Sequence, residues 1–166
     1  MEAWEVIVIG GGHAALRSAI SAKGANASVL VVSVEGSGNC SSGDSTGIAS
    51  SISETSSRGH RNDTIRCGEF LCDQDIVSSR TAAAINHLAE LERWGVNFRR
   101  NSEGIPQTAT LPGHRMPRVS GCGDTTDVEV QQVLIEQCMK SGISRRGDTL
   151  VLRIVSSGNT IHGITT

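Results

Sequence analysis

The sequence predicts an α/β fold: a mainly parallel sheet with a helical insertion and a β-hairpin near the C-terminal end. Three observations carry that reading. The run Glu5-Val-Ile-Val-Ile9 is β-branched and apolar, and it feeds Gly10-Gly11-Gly12 and then an Ala-rich amphipathic stretch. A second apolar run, residues 27–33, follows, so two strands flank one helix in a βαβ unit whose crossover is right-handed. Helical periodicity then dominates residues 73–94 and 127–140, and a loosely alternating strand pattern returns from Thr149.

Taken in order, residues 5–9 read as a buried strand. Gly10 permits a sharp exit from it, Gly12 has no Cβ and lets a ligand approach the backbone, and Ala15 lets the next helix pack closely. The spacing Gly10-x-Gly12-x-x-Ala15, placed between a strand and a helix, is a dinucleotide fingerprint and makes the domain Rossmann-like. The helix start offers unpaired N–H groups and a partial positive charge to a pyrophosphate. Residues 11–23 read as that helix, with Ala14, Ala15, Ala19 and Ala22 on its packing side.

Composition changes abruptly from Glu35 to His60, and Gly and Ser dominate residues 36–47. A flexible linker is the bland reading. The position favours another: the stretch leaves the C-terminal end of the second strand, where open parallel sheets bind ligands, and small residues there suit a loop that wraps a cofactor.

Residues 63–70 read as a short helix and Asp73–Trp94 as a long one, with Ile76, Val77, Ala83, Ala84, Leu88 and Leu91 spaced for an apolar face. Gly95 stops it. Residues 96–98 read as a short strand, and residues 101–126, with Pro106, Pro112 and Pro117, as an irregular excursion. Residues 127–140 form a further helix whose stripe is Val130, Val133, Leu134 and Gln137 or Cys138. Residues 149–155 and 160–164 pair as a hairpin around a turn at 156–159.

Length and charge set limits. The 166 residues suit one domain, 1–166, and a net charge of −2 gives no basic footprint for nucleic acid. No apolar run approaches the roughly 20 residues that span a bilayer, so direct membrane insertion is not expected. No basic n-region precedes a long apolar stretch, which points to a cytoplasmic chain. The five cysteines are scattered without a CxxC pair, so free thiols are expected and a structural zinc site is not.

Several side chains carry two readings. His13 sits in the glycine turn and would meet a cofactor through its backbone. His60 and His114 lie in polar, irregular segments, where a lone histidine is more often a structural hydrogen-bonder than an acid or base. Arg115 and Arg118 flank Pro117 and offer a fork for a carboxylate or phosphate; solvated loop arginines are the alternative. Asp63, Asp73 and Asp75 resemble a metal cluster, but Asp73 and Asp75 open the long helix, where carboxylates stabilise the N-terminus. No metal site is expected. A redox pair of Cys67 and Cys72 is disfavoured by their spacing.

The motifs together resemble one family, the flavoprotein subunits of succinate dehydrogenase and fumarate reductase with L-aspartate oxidase and related FAD-dependent oxidoreductases. The segment from Val6 to Arg17 is similar to that family's FAD fingerprint, and Gly38–Ala49 to its flavin-wrapping loop. His60-Arg-Asn-Asp63-Thr64, then Gly68 and Asp73-Gln74, resembles its His-x-x-Asp-Thr stretch. Leu91–Phe98, Gly113–Arg118 and Asp124-Thr-Thr126 extend the likeness over almost the whole chain.

The resemblance implies an FAD-binding domain in which Gly10, Gly11, Gly12, His13, Ala14 and Ala15 cradle the pyrophosphate. It implies that Ser33 or Glu35 meets the adenosine ribose and that Asn39, Cys40, Ser41, Ser42, Thr46 and Gly47 lie along the path to the flavin. The covalent members attach FAD through a histidine in this loop; Cys40 stands at that position, so non-covalent FAD is expected. Thr46-Gly47 replaces the usual Gly-Gly, and Asp127 replaces a glycine. The family's substrate-binding arginines and histidines match nothing up to Thr166, so the capping domain is expected to be absent and no catalytic residue is assigned. In the intact enzyme the resemblance implies hydride transfer between flavin and a dicarboxylate, an iron–sulfur subunit as partner, and a place peripheral to the inner membrane through that partner. Two alternatives stay open: a non-catalytic nucleotide-binding fragment and an NAD-dependent Rossmann enzyme.

Overall fold

The computed structural model describes residues 2–34, 47–51 and 54–166. The chain forms two compact units, one of Met1–Gly43 with Val130–Thr166 and the other of Asp44–Glu129.

The first unit opens with β1 (Val6–Ile9), α1 (His13–Gly24) and β2 (Val29–Val32). The two strands are parallel, with Val6 opposite Val29 and Ile9 opposite Val32. All four residues of β2 are buried, which is why its sequence is continuously apolar rather than alternating. β2 lies between β1 and a third parallel strand, β5 (Ser144–Arg146), reached through a helix, α4 (Thr126–Lys140). Leu16 and Ala19 of α1 and Val130, Val133, Leu134, Ile135 and Cys138 of α4 are buried with β2 in this unit's core. The predicted stripe therefore takes Cys138, not the half-buried Gln137, and adds Ile135.

β5 is absent from the sequence reading for a physical reason. Ser144-Arg145-Arg146 has no apolar alternation, and it becomes a strand by pairing its backbone with β2. The hairpin comprises β6 (Arg153–Ser157) and β7 (Thr160–Thr165), with a bulge between Val155 and Ser156. The strand predicted from Thr149 starts later, because the Thr149 N–H donates to the Ser33 carbonyl at 3.0 Å and Asp148 turns at φ 51°.

The second unit holds β3 (Ile48–Ala49), α2 (Glu54–Cys67), α3 (Gln74–Trp94) and β4 (Val119–Ser120), with β3 and β4 antiparallel. α2 starts well before the predicted residue 63. Asp73 caps α3, its carboxylate accepting from the Asp75 and Ile76 N–H groups at 3.0 Å each, and Gly95 closes it at φ 121°. Within α3 Thr81 is buried, whereas Ile76 of the predicted apolar face is 57% exposed. Periodicity marks the face of a helix; it does not supply a partner for it. Residues 96–98 are extended without a ladder, although Val96 and Phe98 are both buried. The Arg99 N–H bonds the Gly121 carbonyl at 3.0 Å instead. Among the described residues no helix is long and apolar enough to cross a membrane.

Candidate functional site

Three glycines build the turn between β1 and α1, and each stands in a different environment. Gly10 leaves the strand at φ 127°, where its N–H still donates to the Val32 carbonyl at 2.8 Å. A Cβ on Gly10 would meet the Ala15 Cβ at 3.4 Å, so the small residue at 15 keeps helix and strand close. A Cβ on Gly11 would stand 3.2 Å from the Cβ of Ser33. Gly12 differs from both: its backbone, at φ −80° and ψ 178°, suits any residue, and among the described residues a Cβ there would meet no atom within 4 Å beyond its chain neighbours. Neither strain nor packing by the described residues asks for glycine at 12.

The start of α1 keeps its charge. Gly12 is the N-cap and supplies no side-chain bond, and the first turn carries no acidic residue. The first intrahelical bond is that of the Leu16 N–H to the Gly12 carbonyl at 3.0 Å, so the earlier N–H groups have no partner inside the helix. An anion at this end is stabilised by the macrodipole and by direct N–H donors. Ala14 is exposed, while His13 and Ala15 are half-buried.

Ser33 sits beside the turn at the end of β2. Its N–H donates to the Arg146 carbonyl at 2.9 Å and its carbonyl accepts from Thr149, so strand pairing fixes its backbone. Glycine turn and Ser33 thus meet at the C-terminal edge of the parallel sheet, where such sheets bind ligands. Gln131 reaches the same place from α4: its Nε2 donates to the Gly11 carbonyl at 2.6 Å. A Cα face that no described atom covers, a helix start without a side-chain cap and the lack of first-turn acid fit the pyrophosphate of a dinucleotide. Glu35, Asn39, Cys40, Ser41, Ser42 and Thr46 lie outside the described residues. Gly47 is described, half-buried in the second unit, where a Cβ would lie 2.5 Å from the Ser120 carbonyl oxygen.

The second unit gathers several of the polar residues that the sequence singled out. Asp63 is buried and pairs with three arginines: Arg118 Nη1 at 2.9 Å, Arg115 Nε at 3.0 Å and Arg66 Nη2 at 3.1 Å. It also accepts the Arg115 N–H at 3.0 Å. Arg118 is therefore not a solvated loop arginine; it is 2% exposed, because Asp63 supplies the countercharge that burial demands. Its Nη1 also lies 3.2 Å from His114 Nδ1, and the His114 and His60 rings are 5.9 Å apart. Burial pushes the His60 imidazole below the usual histidine range, helped by Arg118 and His114 and opposed by Asp63. Among the described residues, Arg118 Nε and Nη2, His60 Nδ1 and the Ser50 and Ser51 hydroxyls are buried without a hydrogen-bond partner.

Asp73 is a helix cap, and Asp63 is an ion-pair centre, so the two do different work. Among the described residues no three His, Cys, Asp or Glu side chains gather as metal ligands. Cys67 and Cys72 are free thiols. Burial, with Glu129 beside it, pushes the Cys122 thiol up to about 11, far from a reactive thiolate at neutral pH.

Sequence reasoning missed Gln131, although a signal existed. Residues 131, 134, 135 and 138 recur at i, i+3, i+4 and i+7, and all four are buried. A glutamine on that stripe with leucine, isoleucine and cysteine is a polar group inside a core, which calls for a partner.

Comparison with known proteins agrees with this geometry. The sequence model of the FAD binding domain family matches residues 5–166. The chain is 32% identical over 135 residues to L-aspartate oxidase of Synechocystis, with 81% of this chain and 24% of that protein covered. It is 30% identical over 147 residues to the fumarate reductase flavoprotein subunit of Mycobacterium tuberculosis, with 81% and 24% covered. Among solved structures, a mutant of E. coli quinol fumarate reductase FrdA superposes with a TM-score of 0.89 at 25% identity, over 95% of this chain and 28% of that one. The chain thus spans about a quarter of the length of these relatives. It belongs to the FAD binding domain family, and FAD is its cofactor.

Proposed function

We propose that this chain holds the ADP half of FAD in an oxidoreductase of the fumarate and succinate class. In the intact enzyme the flavin supplies the redox chemistry, hydride exchange with a dicarboxylate carbon. The chain's own residues bind and orient. Gly10, Gly11, Gly12, His13, Ala14 and Ala15 present backbone to the pyrophosphate. Ser33 or Glu35 meets the adenosine ribose. Asn39, Cys40, Ser41, Ser42, Thr46 and Gly47 follow the cofactor toward its ring, without a covalent bond. An iron–sulfur subunit is the expected redox partner, and it would hold the chain at the membrane periphery. Relatives named as fumarate reductase flavoprotein subunits support the class.

The observation that carries the reading is Gly12. Among the described residues no atom beyond its chain neighbours would meet a Cβ there, and the helix that it caps has no side-chain cap and no acid in its first turn. A pyrophosphate pressed against that Cα supplies the need.

The test is the Gly12→Val chain, titrated with FAD by flavin fluorescence and melted without it. The melting temperature is expected to hold while FAD affinity falls about tenfold or more, equivalent to about 1.4 kcal/mol. Unchanged FAD affinity in that variant, or saturable NADH binding in the parent without FAD binding, overturns the reading.

A further inference from the structure

We infer that Gln131 is a positioning residue for the cofactor turn: it sets the orientation of the Gly11–Gly12 peptide from 120 residues away in sequence. This rests on the reading that the turn holds the FAD pyrophosphate. Gln131 is buried, and its Nε2 donates to the Gly11 carbonyl at 2.6 Å. Because the acceptor is a carbonyl, only the NH2 end of the amide can face it. The other end, Oε1, is buried with no hydrogen-bond partner among the described residues. The amide is thus desolvated for a single hydrogen bond, where an apolar residue like its neighbours Val130, Leu134 and Ile135 would have packed without that cost.

The bond acts on the one peptide whose direction matters most. No peptide bond is cis, so the Gly11 C=O and the Gly12 N–H point in opposite directions. Drawing the carbonyl toward α4 holds the Gly12 N–H pointing away from it. That N–H has no hydrogen-bond partner among the described residues. Glycine on both sides of the peptide leaves it free to flip when nothing restrains it. Gln131 removes that freedom before the cofactor arrives, so less ordering is left to the binding step.

Three variants of the chain test this: Gln131→Leu, Gln131→Glu and Gly12→Val, each titrated with FAD and melted without it. In Gln131→Leu, FAD affinity is expected to fall about 3- to 10-fold, the range of one lost hydrogen bond. The melting temperature should hold or rise, since the partnerless Oε1 is lost as well. Gln131→Glu supplies the readout that mere packing would not move. Its carboxylate repels the Gly11 carbonyl, whereas its protonated form donates to it. Its FAD affinity relative to the parent should therefore be low at neutral pH and recover as the pH falls to about 5, because burial raises a carboxyl pKa. Loss in Gly12→Val together with parental affinity in Gln131→Leu, or with no recovery on acidification in Gln131→Glu, overturns the inference and leaves the cofactor reading standing. Parental affinity in all three overturns both. Should Gln131→Leu fail to fold, the pH profile of Gln131→Glu decides alone.

Discussion

Asp63 and Arg118 form a buried ion pair, with Arg118 Nη1 2.9 Å from the Asp63 carboxylate and neither side chain more than 4% exposed. The pair ties the middle of α2 to the residue that enters β4. Arg118's own carbonyl then accepts the Ser50 N–H at 2.8 Å, just after β3. The carboxylate thus ties α2 to the start of β4, and β3 joins them through the backbone of Arg118.

Removing that carboxylate leaves Arg118 buried and uncompensated. Asp63→Ala is expected to cost about 3–5 kcal/mol in urea unfolding. Pairing it with Arg118→Met should recover part of the loss, since removing both charges also removes the desolvation penalty. A single variant as stable as the parent would show that the pair does not hold this unit together.

Acid should loosen the same cluster. The folded-state pKa of His60 is lowered, so between that value and the unfolded value of about 6.5 the unfolded chain binds more protons. Stability is then full above about pH 6.5, declines as the pH falls below it, and stops declining once the folded pKa is passed. Urea midpoints measured across this window should show the decline in the parent and a flatter profile in His60→Gln. Equal slopes would rule out His60 as its source.

Gly47 marks a close backbone approach. A Cβ there would lie 2.5 Å from the Ser120 carbonyl oxygen and 2.7 Å from Val119 Cγ1, and a carbonyl within a strand pair cannot swing aside as a side-chain tip can. Gly47→Ala is expected to lower stability by about 1–3 kcal/mol, read from the melting temperature without FAD. This is the reverse of Gly12, where the added carbon meets no atom of the described residues within 4 Å beyond its chain neighbours. An unchanged melting temperature for Gly47→Ala would contradict the tight β3–β4 contact.

What could be read from the sequence was local. The β1-turn-α1-β2 unit, the Asp73 cap, the Gly95 stop and the C-terminal hairpin all rest on signals within a few residues: β-branched runs, glycine at turns, a carboxylate before a helix. Those signals also placed the glycine turn between β1 and α1 and, through the family resemblance, named FAD. The tertiary structure decided what depends on a distant partner. Ser144–Arg146 is a strand only because β2 offers it a backbone edge, and residues 96–98 alternate like a strand yet find no ladder. Arg118 is buried with Asp63 as its countercharge, and Gln131 is a buried polar residue whose amide donates to the Gly11 carbonyl. Backbone conformation is chosen by neighbours in the chain, whereas burial of charge and pairing of an isolated carbonyl are settled by groups that only folding brings together.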